Sequence, residues 1–112
     1  MAIVNQYKFY GKTTTAAETV ALLSPGINET IIIKSLRVTN KSGSNTPTVT
    51  ITNNAFEIVN TQSLTAATSV EILTLPLIVE GNTTLSYTTA GTMTHGVVFG
   101  ISYLNILKEK TD

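Results

Sequence analysis

The sequence predicts an all-β chain, on three observations. Threonine supplies about one residue in five, with valine and isoleucine plentiful beside it; such β-branched side chains are stiff at χ1 and sit well on a pleated surface. Apolar and polar residues alternate in several runs, such as "TVTIT" at 48–52, and period two marks half-buried strands. Turn chemistry recurs about every ten residues, the spacing of a sandwich or barrel. The architecture expected is a single domain over 1–112, an antiparallel β-sandwich of seven to eight short strands, jelly-roll-like or immunoglobulin-like.

Strands are expected at 3–10, 15–23, 30–40, 47–53, 55–60, 69–79, 83–89 and 93–106. In the first, alternation sets Tyr7 and Phe9 on one face. The run "TTTAAETVALLS" has helical propensity, but its threonine flank and the alternation of Val20 with Leu22 read as extended, and "SPG" at 24–26 ends it. Along 31–38, Ile31 and Ile33 point one way while Leu36 and Val38 point the other. Either a bulge near Lys34 switches faces, or both sides of this strand are covered. After the turn "KSGSNTP" at 41–47, Val49 and Ile51 face inward and Thr48, Thr50 and Thr52 outward. Pro47 and Pro76 suit strand starts or edges, where no ladder donor is needed. "EGN" at 80–82 and "AG" at 90–91 bracket a strand in which Leu85 and Tyr87 share a face. In the final run Val97, Phe99, Ile101 and Tyr103 share a face, and Val98 and Leu104 make the other apolar too.

Composition excludes several functions. There is no cysteine, hence no disulfide and no thiolate metal site. Net charge is zero and 12% of residues are charged, about half the usual share. One arginine and six scattered lysines make no basic stripe, so nucleic acid is not an expected partner. No stretch approaches the ~20 apolar residues of a membrane helix, and none is expected to meet a membrane. The opening "MAIVNQYKFYG" lacks the pattern of a secretory signal, which predicts a cytoplasmic start. So few charges read either as a threonine- and serine-wetted surface or as a surface covered by other protein.

No catalytic constellation emerges. His95 stands alone beside Gly96, with no second histidine for a metal site. The carboxylates Glu18, Glu29, Glu57, Glu71, Glu80, Glu109 and Asp112 fall in no motif and read as solvent-facing strand and turn residues. "SPG" and "SGSN" are too short for phosphate cradles, and "NET", "NKS" and "NTT" match the glycosylation pattern by chance in a threonine-rich chain. Tyr7, Phe9 and Tyr10 could line a sugar-binding face, but pack more readily into a core or a neighbouring subunit. The chain reads as non-enzymatic, with no catalytic residue, cofactor or metal.

The order of motifs resembles small β-sandwich virion proteins of tailed bacteriophages. It is carried by "YKFYG" at 7–11, "VALLSPG" at 20–26, "IIIKSLRVTNKSGS", "LPLIVEGNTTLSYTTAG" and "VVFGISYLNI". The Pro-Gly turn departs from a commoner Pro-Ala-Gly form, and Gly81 directly follows Glu80 where a residue often intervenes. The resemblance implies a virion structural protein assembled in the host cytoplasm, foremost a capsid decoration or cement subunit that stabilises the head shell. The alternative it implies is a tail, neck or fibre component contacting host glycans. Its implied partners are copies of itself, with a trimer as the expected state, and other virion proteins such as the major capsid protein.

Two regions are expected to supply contacts. Ile31, Ile33, Val98 and Leu104 each lie opposite a face that already reads as core. Residues 1–11 read either as an N-terminal arm docking Ile3, Val4, Tyr7, Phe9 and Tyr10 on a neighbour, or as the first strand of the chain's own sandwich. Residues 107–112 read as a short charged tail.

Overall fold

The computed structural model describes residues 3–73 and 75–108, the side chains of Ile3, Val4 and Lys108 excepted. Nine strands fill it: β1 (Ile3–Thr14), β2 (Thr19–Leu23), β3 (Glu29–Asn40), β4 (Thr48–Asn53), β5 (Phe56–Ser63), β6 (Ser69–Glu71), β7 (Leu77–Val79), β8 (Leu85–Ala90) and β9 (Val97–Lys108). They form two antiparallel sheets packed as a sandwich, with no helix among the described residues. The first sheet runs β1-β9-β3-β6, with β7 pairing a different stretch of β3; the second runs β2-β8-β4-β5. The all-β sandwich that alternation predicts is the observed fold.

The core follows from the inward residues of both sheets. Leu36, Val38, Val97, Phe99 and Ile101 of the first meet Val49, Ile51, Leu85 and Tyr87 of the second, all fully buried. Tyr87 and Phe99 stack across the interface with centroids 4.3 Å apart, a contact that adds about 0.5–1.5 kcal/mol to the burial of the rings.

Three points that the sequence misplaced or left open matter for the surface. The run expected at 69–79 divides into β6 and β7. Between them Ile72 turns into the core, its amide donating to the Leu36 carbonyl at 2.8 Å, and Pro76 has no donor with which to continue a ladder. The face change along β3 is a bulge: the register with β9 shifts between Ile33 and Ser35, leaving Lys34 as the extra, exposed residue. Ile31, Ile33, Leu36 and Val38 therefore all face the core, and Ile31 and Ile33 are withdrawn as interface candidates. Finally, residues 3–14 pair along their whole length with β9, so this segment is the edge strand of its own sheet rather than a free arm. Of the tail expected at 107–112, Leu107 and Lys108 close β9, and 109–112 lie outside the described residues.

Candidate functional site

With alternation and bulge fixed, the outward face of the first sheet can be read row by row. Tyr7, Leu104, Ile32 and Ile78 stand side by side across β1, β9, β3 and β7. Tyr7 is 79% exposed and Ile78 53%, while Leu104 and Ile32 are half-buried between them. Four apolar side chains in one row on a water-facing sheet are not a core stripe, because nothing among the described residues covers them.

Beside this row Phe9 lies on the sheet. Gly11 and Gly100 are direct cross-strand partners, and a Cβ on either would meet the Phe9 ring at 3.3–3.5 Å. The absent side chains thus leave a floor on which the ring rests, with Phe9 still 70% exposed. Phe9, Arg37, Ser35, Thr39, Val98 and Ser102 rim a shallow hollow of about 360 Å³ above Gly100. Glu71 secures the bulge under its margin, accepting from the Leu36 amide at 2.7 Å and from the Ser35 hydroxyl. The carboxylate supplies the acceptor that the disrupted ladder cannot.

At the other end of the row a larger groove, about 660 Å³, opens between the Pro-Gly turn and β7. Ile27, 76% exposed, shares its wall with Ile78, Ile106 and Thr30. Gly81 is packed against that turn: a Cβ there would stand 2.7 Å from the Gly26 carbonyl and 2.8 Å from that of Ile27, so only glycine fits. Glu29 ties the turn from within, accepting from the Gly26 amide at 2.7 Å and from the Asn105 amide at 3.2 Å. Those two hydrogen bonds, and then Lys8, hold its carboxyl below the ordinary carboxylate value. Burial, and next the Glu29 charge, push the Tyr103 phenol up. The Asn105 Oδ1 is buried without a hydrogen-bond partner.

The second sheet is different outside. Thr19, Thr88 and Thr50 form a row across β2, β8 and β4. The first two hydroxyls bond each other at 2.9 Å, and Thr50 accepts from the Thr61 amide at 2.9 Å. Under its rim Glu18 accepts from the Tyr87 hydroxyl at 2.8 Å and from the Thr14 hydroxyl. The Thr14 bond, followed by that of Tyr87, lowers the Glu18 pKa; burial, followed by the Glu18 bond, pushes Tyr87 up to about 12. Buried Asn40 pins the 41–47 turn by donating to the Asn45 and Leu64 carbonyls and accepting from the Ser42 amide. The exposed His95 is held by its backbone, whose amide donates to the Ser42 hydroxyl at 3.1 Å.

Of the residues singled out in the sequence, Tyr7, Phe9, Val98 and Leu104 share the outward face of the first sheet. Tyr10 points the other way, half-buried against the core. Ile31 and Ile33 are inside, and the side chains of Ile3 and Val4 lie outside the described residues. Sequence reasoning missed Ile32, Ile78, Ile106 and Ile27. The alternation Leu77–Ile78–Val79 held a signal for Ile78, whereas Ile32 is hidden inside the unbroken triplet 31–33.

No protein-family model matches the sequence, and no curated protein matches it. Solved structures do. The chain is similar to one of the infectious bursal disease virus Gx strain, with TM-score 0.50 and 14% identity over 94% of this chain and 32% of that one. A structure of the Gt strain gives TM-score 0.46 at 12% identity, over 94% and 32%. A mutant VP2 protein of the same virus in derived T=1 particles gives 0.49 at 12%, over 94% and 31%. The chain spans about a third of the length of these neighbours. The likeness to the Gx-strain structure is one of fold.

Proposed function

We propose that this chain is a non-enzymatic virion structural protein, a β-sandwich subunit that coats and stabilises a capsid shell as a decoration or cement protein. The observation that carries the reading is the apolar row Tyr7–Leu104–Ile32–Ile78 on a face that nothing in the described chain covers. Apolar surface left in water is worth about 25 cal/mol per Å² when a partner covers it, and exposed apolar patches mark interaction sites. A fold shared with a virus structure supports the reading, as does the sequence resemblance to tailed-phage virion proteins. Neutral, lightly charged subunits also crowd without repulsion. The partners are further copies of the chain and a shell protein.

The experiment is reconstitution on purified shells lacking the protein, with copies per particle counted by quantitative mass spectrometry. Hundreds of copies, and a shell more resistant to heat, are the expected result. A handful of copies per particle points instead to a tail, neck or fibre part. The hollow of Phe9, Arg37, Ser35, Thr39 and Ser102 favours that second reading, since a ring beside hydroxyls and a guanidinium suits a sugar. Binding to a host-glycan array, lost in Phe9→Ala, would support it.

A further inference from the structure

We infer that β1 pairs with β1 of a second copy about a two-fold axis through Phe9, fusing two first sheets into one continuous sheet. This rests on the assembly reading and names its contact.

The sandwich treats its edges unequally. A free strand edge is a template for pairing, and proteins blunt it by shortening, bulging or twisting the strand. β6 and β7 have three residues each. β2 has five and a register shift between Ala21 and Leu23. β5 carries two register shifts against β4, and its Thr61 is forced to φ 51°. β1 alone is long and regular, twelve residues in unbroken register with β9 and unpaired on its other side among the described residues. Asn5, Gln6, Tyr7, Lys8 and Phe9 are all exposed along it.

The lysines of β1, a common edge guard, here select a register. In antiparallel pairing about a two-fold normal to the sheet, opposite residues share a face, so only even register sums are allowed. Centring on Lys8 sets Lys8 against itself, and centring on Tyr10 sets Lys8 against Lys12; like charges directly opposite are destabilising. Centring on Tyr7 pairs only 3–11. Centring on Phe9 pairs 4–14: Phe9 meets Phe9, Tyr7 meets Gly11, Lys8 meets Tyr10 and Gln6 meets Lys12. In that register a second copy sets no lysine directly opposite another, which the registers centred on Lys8 and Tyr10 cannot do. An edge of ~40 Å with four aromatic rings, each offering about 150–250 Å², reaches the roughly 1,000 Å² of a specific interface.

The chain has no cysteine, so single cysteines report the register on the full chain. Phe9→Cys should form a disulfide-linked dimer on mild oxidation, because opposite Cβ atoms lie near bridging distance. Tyr7→Cys should not, its two copies being about 13 Å apart along the strands. Since Phe9 also covers Gly11 and Gly100, a mixture of Gln6→Cys and Lys12→Cys chains gives an independent reading, expected to yield mixed dimers. Phe9→Lys should raise the dimer Kd about tenfold or more by sedimentation velocity. A chain that stays monomeric to millimolar concentration, or that crosslinks through Tyr7→Cys, overturns the pairing. If that monomer still binds shells, the assembly reading stands without it; if it binds none, both fall.

Discussion

Across the outward face of the first sheet stand Tyr7, Leu104, Ile32 and Ile78; across that of the second stand Thr19, Thr88 and Thr50. Both rows lie on the same core. The threonine row bonds within itself and to a backbone amide, and its hydroxyls keep it wet without charge. The apolar row gains nothing from water. Low overall charge, which could mean a wetted surface or a covered one, divides into a hydroxyl-lined face and an apolar one. A single average over the chain hides that division.

The largest effect expected is on what the faces share. Phe99→Ala removes the inter-sheet stack and should cost about 3–5 kcal/mol in urea unfolding; a smaller loss would mean the two faces do not depend on one packed core. Next, Leu104→Lys combined with Ile78→Lys should weaken shell binding about 10- to 100-fold, roughly 1.4–2.7 kcal/mol. Thr50→Lys and Thr88→Lys should leave that binding unchanged. Equal losses on both faces would break the contrast. Glu71→Ala removes the acceptor that holds the β3 bulge and should cost about 1 kcal/mol in thermal unfolding.

The smallest effect is acidic. Glu18 and Glu29 have folded pKa values below the ordinary 4.5, so the unfolded chain binds protons first as pH falls. Their contribution is full above that value and fades as pH drops through the lowered folded values. Melting temperatures between pH 6 and pH 3 should therefore fall, and fall less in Glu18→Gln. Tyr87 works in the opposite sense. With its folded pKa raised to about 12, its contribution is full below about 10 and is lost as pH climbs towards 12.

The sandwich was legible because period two survives in single strands: Val49 and Ile51 inside, Thr48, Thr50 and Thr52 towards the rim, as the alternation requires. The apolar face was legible in half. Tyr7 and Phe9 could be put on one side, but which side faced water depended on β9, about a hundred residues on. The β3 bulge was foreseen as one of two options; deciding it required Glu71, which lies 35 residues from the amide it accepts. Naming Ile31 and Ile33 as contacts took the wrong option, and Ile32 was the residue outside. Long-range closure, not local propensity, sets these assignments.

β1 finds its only partner in the last strand of the described fold, and β3 lies against that same strand. During synthesis the second sheet can close its β4–β5 hairpin and recruit β8 while the first sheet still lacks its middle. Such distant pairing folds slowly, on the order of milliseconds to seconds. Until β9 emerges, Tyr7 and Phe9 have no sheet to be displayed on, and the edge that a second copy would recognise does not exist. A ribosome-bound fragment ending before Val97 therefore lacks the ordered β1 edge on which the proposed pairing depends.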